Sequence, residues 1–547
     1  MSCEGISRRE LLRRSGMLGG AALAFPEILA GEAAAATPAP PPVAAPAGIG
    51  LRVGPDIYQS IGVRPLINAR GTFTILSGST MLPEVRAAMD AASRRYVHLD
   101  ELSEAIGARL AALTQAEWGL VTSGCSAGLT HATAACVAGG NPELHVRIPN
   151  LQGFAKDEVI IPAHSRNVYD AAIRAVGVRV VTVSTVAELE AALGPRTALI
   201  YVLAGPEADK SELTVKAMGP IAKARGVPIL VDAAAEILTI PNVHLGDGAT
   251  LVAYSGGKCL RGPQTAGLLL GRKDLVKAAW VHSAPHHGPH RGYKVGKEEA
   301  IGMLAAVEAW VKRDHDAEWQ RWSGWLEHIA AKVKTVDGVT TEIAQPVGLS
   351  NKTPSLRVRW DRARLGVDGP TVVRTLFNGE PRITMTAAGG AEAGDRSAMA
   401  GTGVSITPYM MAAGDEQIIA DRLHAVLSKP PVTPVKTPAP PAADLSGGWD
   451  VKIQYAAAAS THHFQLRQRG AEIEGAHQGD FVTRDLTGSI DGDEVRLRSN
   501  VGEAGGDAFS FTFTGKLAGD QLSGTLDMAE YLGATFTATR RAGRRQA

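Results

Sequence analysis

The chain has 547 residues, a formal net charge of +1, and is 45% hydrophobic and 20% charged. That composition excludes a mainly disordered or fibrous chain, and the near-zero charge excludes an electrostatic grip on nucleic acid. The length allows about three or four domains, and four cysteines (Cys3, Cys125, Cys136 and Cys259) are too few for a disulfide scaffold.

Residues 1–36 read as a twin-arginine signal peptide. Arg8-Arg9 in SRRELL precedes a short, weakly apolar run over 16–25 and small residues at 33–36. The expectation is export to the periplasm or beyond, of a chain already folded. No later run is apolar and long enough to insert in a membrane. Residues 37–50 form a Pro/Ala linker.

The folded part opens with helices over 83–93 and 99–113, the first with Pro83 in its first turn. A strand over 119–122 runs into Ser123-Gly124-Cys125-Ser126 and then an Ala-rich helix. Strand, small-residue turn and helix together make an anion site, because free N–H groups and the positive end of the helix dipole point at the ligand. Alone, the same residues also suit an ordinary Ser/Gly helix cap. Strands over 159–161, 178–183, 198–203 and 229–231 then alternate with helices over 168–176, 186–193 and 216–225. Near-continuous apolar strands between helices predict a parallel or mixed sheet covered on both faces, with ligands at the carboxyl ends of its strands.

Three residues fall at such ends. His164 follows one strand, and is open to two readings, a ring stacked on a flat ligand or a hydrogen-bonded loop histidine. Asp232 closes the run ILVD, where a buried carboxylate needs a partner. Lys258 lies in a Gly-framed turn, Ser255-Gly256-Gly257-Lys258, between apolar runs over 251–254 and 265–270. An anion-binding turn, a carboxylate and a lysine between buried strands suit pyridoxal 5′-phosphate (PLP): Ser123, Gly124 and Cys125 at its phosphate, Asp232 at its pyridine nitrogen, His164 on its face, Ser255 and Gln264 beside it, and Lys258 as Schiff-base lysine and proton carrier.

The segment 282–290 carries four histidines. Neither Cys nor carboxylate completes a ligand set there, so no metal is assigned, and a loop over the active site is expected. Arg291, Lys294 and Lys297 follow, suited to an anionic substrate or to the phosphate of a neighbouring subunit's cofactor. Helical periodicity runs over 297–334, with Trp310, Trp319, Trp322 and Trp325 as packing residues. Residues 51–335 then form a large domain and 336–428 a small α/β domain, from which Arg382 is a candidate clamp for a substrate carboxylate. A second Pro-rich linker, 429–443, leads to 444–547, where about eight short alternating strands with Gly and Asp turns predict an antiparallel barrel or sandwich. Its basic tail, from Arg540 onward, reads as solvated.

The motifs RPLIN (64–68), TSG (122–124), VDAA (231–234), SGGK (255–258) with GPQ (262–264), and KVGKE (294–298) resemble the fold-type-I PLP enzymes related to L-seryl-tRNA(Sec) selenium transferase, and within that group the D-glucosaminate-6-phosphate ammonia-lyase branch. The likeness spans residues 58–428. It implies an aspartate-aminotransferase-like fold with a seven-stranded, mostly parallel sheet, and a homodimer or larger homo-oligomer with active sites at subunit interfaces. The implied activity is a lyase performing α,β-elimination, of ammonia-lyase or dehydratase type, on a small β-substituted amino acid or amino-sugar acid. A transferase (selenium or sulfur β-replacement, or transamination) is the alternative, and a secreted non-catalytic binding protein the alternative of another class. An exported enzyme without a basic tRNA-binding domain does not suit selenocysteine synthesis.

Overall fold

The computed structural model describes residues 50–388, 402–431, 439–500, 510–529 and 531–541. The signal segment, most of the first linker, the middle of the second and the end of the basic tail lie outside the described residues. The chain divides into two units at Pro65/Leu66. In the first, residues 50–65 hold a single 3₁₀ turn, Gln59–Ile61, and an Arg52–Asp56 ion pair at 2.7 Å.

The second unit is organised by a seven-stranded sheet. Its strands are β1 (Trp118–Thr122), β2 (Glu158–Pro162), β3 (Arg179–Val183), β4 (Thr197–Leu203), β5 (Ile229–Asp232), β6 (Leu251–Ser255) and β7 (Gly267–Gly271). The spatial order is β1-β7-β6-β5-β4-β2-β3. Only β7 runs against its neighbours; the pairings from β6 across to β3 are parallel. β1, β2, β5 and β7 are buried from end to end, as the apolar runs require when helices cover both faces. Two buried clusters fill those faces. One contains Ile160, Val202, Val231 and Met303, the other Leu129, Ile161, Tyr201 and Leu269.

Two helical expectations change. The periodic run over 297–334 is two helices, Lys297–Lys312 and His315–Val333, because Asp314 leaves the helix and caps the second through its side chain on the Ala317 amide. The predicted helix over 168–176 shrinks to a 3₁₀ turn, Val168–Asp170, and one turn of α-helix, Ala171–Arg174. Its buried Asp170 carboxylate is clamped by Arg166 at 2.6 Å and Arg174 at 2.8 Å, so pairing of a buried charge fixes this segment more than helix propensity does.

The small domain is a four-stranded antiparallel sheet in the order Thr386–Ala387, Gly403–Ile406, Ser355–Trp360, Val339–Ala344. Its core also takes Ala69 and residues of the helices His315–Val333, Gly369–Asn378 and Asp415–Ser428. Ile67–Asn68 pairs in parallel with Ile383–Thr384, so the chain entering the unit joins the small domain before it builds the large one.

After the second linker, eight strands form a closed antiparallel barrel, in which each strand pairs with the next and Gly447–Gln454 pairs with Tyr531–Arg540 to close it. Left-handed glycines, Gly470 and Gly492, sit in two of its tight turns. Trp449, Phe464, Phe513 and Phe536 fill the interior.

Candidate active site

β5 and β6 bring Asp232 and Lys258 to the same edge of the sheet. Asp232 is the last residue of β5 and is 2% exposed. Lys258 lies half-buried in the turn that follows β6. This turn is held tightly: the Gly256 amide donates to the Ala266 carbonyl at 2.8 Å, and the Gly262 amide to the Gly256 carbonyl at 2.8 Å. A Cβ at Gly256 would stand 2.6 Å from the Met303 sulfur, and one at Gly257 2.6 Å from the Gln264 Cα. The glycines around Lys258 therefore answer to close packing rather than to flexibility.

Burial pushes the Asp232 carboxyl above its ordinary range. Opposing this are the Ala234 amide at 3.1 Å, the nearby Lys258 ammonium, the Tyr201 hydroxyl at 3.0 Å and the Cys125 thiol at 3.5 Å. Tyr201 is in turn held by the Asn167 amide at 3.3 Å, which also donates to the Ser165 carbonyl at 2.6 Å. A buried carboxylate so arranged accepts from neutral donors and has no cation in hydrogen-bond contact among the described residues. A protonated ring nitrogen is the partner that chemistry lacks.

The turn ahead of the Ala-rich helix has the expected form. β1 ends at Thr122, and the helix Gly124–Ala138 starts at once, with Ser123 at its cap making no side-chain capping bond. Gly124 has a φ of +81°, and a Cβ there would meet nothing within 4 Å. β7 crosses this helix start so closely that a Cβ at Gly267 would lie 2.3 Å from the Gly124 carbonyl carbon. The Cys125 thiol is driven well above its ordinary value by burial and then by Asp232, so it is a neutral packed donor. Cys259 is likewise pushed up to about 11 by burial.

His164 stands in the 3₁₀ turn Ala163–Ser165 at the end of β2, on the segment that carries Asn167. Its Nε2 is buried without a protein partner, and burial lowers its pKa, so the ring is neutral. Ser255 ends β6. Gln264 packs on Gly257 and Gly78 and donates to the Thr74 carbonyl at 3.3 Å.

The basic candidates are less converged. Lys297 is paired with Glu298, its neighbour at the start of the helix Lys297–Lys312. Arg291 is half-buried and Lys294 exposed. Arg382 donates from Nε to the Phe377 carbonyl at 3.1 Å and lies over the Phe377 ring at 4.6 Å, contacts wholly within the small domain. The histidine segment is no free flap: His282 and His290 are buried and pack against His131 and His145. Tyr201 and Asn167 escaped the sequence pattern. The available signal was a single tyrosine inside the aliphatic run ALIYVL, since a hydroxyl in a buried strand needs a partner. A surface cavity of 220 Å³ lined by Asp100, Glu104, Trp118, Lys277 and Trp280 includes neither Asp232 nor Lys258; it is the carboxyl ends of the strands, not that cavity, that gather the reactive groups.

Residues 105–286 match the family model for class-V aminotransferases. The chain is 31% identical over 383 residues to D-glucosaminate-6-phosphate ammonia lyase of Salmonella typhimurium (strain 14028s / SGSC 2262), covering 68% of this chain and 98% of the relative. It is 34% identical over 304 residues to the 5′-C-glycyluridine monooxygenase-decarboxylase of a Streptomyces species, covering 53% of this chain and 73% of that one. A solved structure of D-glucosaminate-6-phosphate ammonia-lyase superimposes with a TM-score of 0.59 at 29% identity, covering 68% of this chain and 98% of that one. Those matches, on a sheet that ends in Asp232 and Lys258, place the chain in the class-V aminotransferase family of fold-type-I, PLP-dependent enzymes, as a relative of D-glucosaminate-6-phosphate ammonia-lyase.

Proposed function

We propose that the protein is a PLP-dependent lyase that carries out α,β-elimination on a small β-substituted amino acid or amino-sugar acid, releasing ammonia and a 2-oxo acid. The reading is carried by one observation, the 31% identity that extends over 98% of an ammonia lyase; the juxtaposed Asp232 and Lys258 give it chemistry. When bound, PLP supplies an electron sink for a carbanion at the substrate Cα. The residues supply the rest. Lys258 holds the cofactor covalently and moves the Cα proton. Asp232, whose ionised form Ala234, Lys258 and Tyr201 favour against the opposing effect of burial, would hold the ring nitrogen in its protonated form. Ser123, Gly124 and Cys125 present helix-start N–H groups to the phosphate. His164 offers a neutral ring face at the sheet edge, and Ser255 and Gln264 brace the lysine turn. Arg291, Lys294, Lys297 and Arg382 are the candidate anion clamps, of which Lys297 and Arg382 must first give up Glu298 and Phe377.

The test is release of ammonia and 2-oxo acid from a panel of β-hydroxy and otherwise β-substituted amino acids and 2-amino sugar acids. Borohydride reduction and peptide mapping should then place the cofactor on Lys258. A panel without product, or an adduct on another lysine, refutes the proposal. The match of residues 105–286 to class-V aminotransferases favours a transferase as second reading; conversion of the cofactor to its pyridoxamine form by the same panel would select it. We further propose that residues 1–36 direct twin-arginine export and that the active form is a homodimer or larger homo-oligomer. Cell fractionation and light scattering of the purified chain test these.

A further inference from the structure

The central sheet fixes Asp232 and Ser255, but Lys258 lies in the turn beyond β6, and residues 233–237 leave the sheet after β5. Each of these stretches is braced from outside the sheet. The segment 68–80, on its way from the small domain, braces the lysine turn. Gly78 approaches so closely that a Cβ there would stand 2.8 Å from the Gly257 carbonyl oxygen. Gln264 donates to the Thr74 carbonyl at 3.3 Å, and Arg261 to the Thr80 carbonyl at 3.0 Å. The loop between the small-domain strands Val339–Ala344 and Ser355–Trp360 braces the run after Asp232. There the Asn351 amide donates to the Ala235 carbonyl at 2.8 Å, and the Ile237 amide to the Leu349 carbonyl at 3.2 Å. The two braced stretches also meet: Cys259, next to Lys258, donates to the Glu236 carbonyl at 3.2 Å.

Both braces end on one side chain. Tyr409 follows the small-domain strand Gly403–Ile406 and is 8% exposed. A phenol carries one proton. It goes to Asn351 Oδ1 at 3.3 Å, so the hydroxyl oxygen accepts from the buried Thr72, from its amide at 3.2 Å and from its hydroxyl at 2.9 Å. The backbone on each side is shaped to reach this hydroxyl. Gly71 has a φ of +123°, and a Cβ there would stand 3.2 Å from it. Asn68 closes the turn ahead of Thr72, accepting from the Gly71 amide at 2.9 Å and donating to the Gly71 carbonyl at 2.8 Å. On the other side Asn351 holds a left-handed φ of +45°.

We infer that Tyr409 is a positioning residue for the site: its hydroxyl fastens the segment 68–80 and the loop 349–351 to the small domain, and so sets where Lys258 stands relative to Asp232. The tie is made in the interior, so water does not replace it. Without the hydroxyl, the Thr72 amide and hydroxyl lose a buried acceptor, and Asn351 keeps its backbone bond to Ala235 but loses the contact that holds its side chain. Segment and loop then shift independently, and each carries its own half of the site. Tyr409 acts through these two braces, and the placement of the small domain reaches the reacting groups by way of them. The inference rests on PLP lying between Asp232 and Lys258, and it holds for a lyase and for a transferase alike.

The experiment uses the full-length chain carrying Tyr409→Phe, beside Thr72→Val, which removes only one hydroxyl of the tie, and Val372→Ala, which trims a buried small-domain residue that makes none of these bonds. Tyr409→Phe should weaken PLP binding by the about two- to tenfold that a net hydrogen bond represents. It should move the pH midpoint of the loaded protein's visible absorbance by at least about 0.3 unit, the equivalent of twofold. In the cofactor-free chain it should raise amide hydrogen exchange over both 71–80 and 233–237, whereas Thr72→Val should raise it over 71–80 alone. Val372→Ala should lower the urea midpoint and leave the absorbance midpoint in place. Borohydride labelling of a lysine other than Lys258 in the unaltered protein would overturn the placement of PLP and the inference with it. With Lys258 labelled, unaltered PLP affinity and absorbance in Tyr409→Phe, or an equal shift in Val372→Ala, overturns the inference alone. Should Tyr409→Phe fail to fold, Thr72→Val decides, and exchange over 71–80 that stays as in the unaltered chain overturns the tie.

Discussion

Tyr201→Phe isolates the support of Asp232. The substitution keeps the ring in the packed core and removes only the hydroxyl that lies 3.0 Å from Asp232 Oδ2. Both groups are buried, at 0% and 2% exposure, so solvent does not replace the lost donor. Asn167 loses one contact and keeps the Ser165 carbonyl at 2.6 Å. A hydrogen bond to a charged group is worth about 1.5–3 kcal/mol, and its loss raises the Asp232 pKa further. Burial already raises that pKa, and Tyr201 is among the groups that oppose it. The folded chain therefore holds a proton on Asp232 above the pH at which the unfolded chain releases it. Stability of the cofactor-free protein declines as pH rises through that window, and the variant widens the window upward. A protonated pyridine nitrogen binds the ionised form. PLP affinity should thus fall about tenfold to a hundredfold near neutral pH, and the deficit should shrink at higher pH as Asp232 ionises in the variant too. Titration of the stripped protein with PLP by absorbance, across pH, reads this. A variant with unaltered affinity, or a loss that is flat in pH, refutes the role given to Tyr201.

Three further outcomes follow from the same geometry. Lys258→Ala should leave the fold intact by circular dichroism, abolish borohydride-stable cofactor attachment, and slow turnover by at least the 10²–10⁴-fold that a positioned proton carrier contributes, about what exogenous methylamine should partly restore. Gly267→Ala places a Cβ 2.3 Å from the Gly124 carbonyl carbon and 2.6 Å from the Cys125 amide nitrogen; it should cost about 1–3 kcal/mol in denaturant unfolding and weaken PLP more than it weakens a phosphate-free pyridoxal. In the barrel, His477 bonds Ser499 at 2.8 Å and His462 at 2.8 Å, with Asp480 beyond His462 and Arg484 nearby. Burial and then the His462 and Arg484 charges push His477 down to about 3. The unfolded chain therefore binds a proton that the barrel refuses, and stability should fall below about pH 6.5 with a slope of up to about 1.4 kcal/mol per pH unit for this group. Urea unfolding at several pH values should show that slope reduced by one proton in His477→Phe.

What the sequence displayed is what burial writes into composition. The strands of the central sheet are covered on both faces, and they stood out as continuous apolar runs with residues of interest at their carboxyl ends; β5 ends at Asp232, and the turn after β6 carries Lys258. The barrel's alternation displayed its strands, and only long-range pairing between Gly447–Gln454 and Tyr531–Arg540 distinguishes closure from a sandwich. Segments governed by a single polar contact did not show. Asp314 divides a periodic run into two helices, and Asp170 with its two arginines replaces a helix by two short turns.

The site separates along the same line. Groups that must sit on a strand end or a helix start are constrained by the local chain, and so Ser123, Gly124, Asp232 and Lys258 carry recognisable neighbours. Tyr201 acts on Asp232 from a strand 31 residues upstream, and Asn167 acts through Tyr201 from 34 residues further upstream, and no local pattern joins them. The histidines make the point most sharply. Read along the chain, His282, His286, His287 and His290 formed one cluster in one loop. In the fold, His286 turns to the Trp280 and Ser283 carbonyls and the His287 ring is exposed. His282 and His290 instead join His131 and His145 from elements 137 residues and more upstream of the contact at His282. Proximity in sequence overstated two members and concealed two others, because which rings pack together is decided by the folded chain rather than by spacing along it.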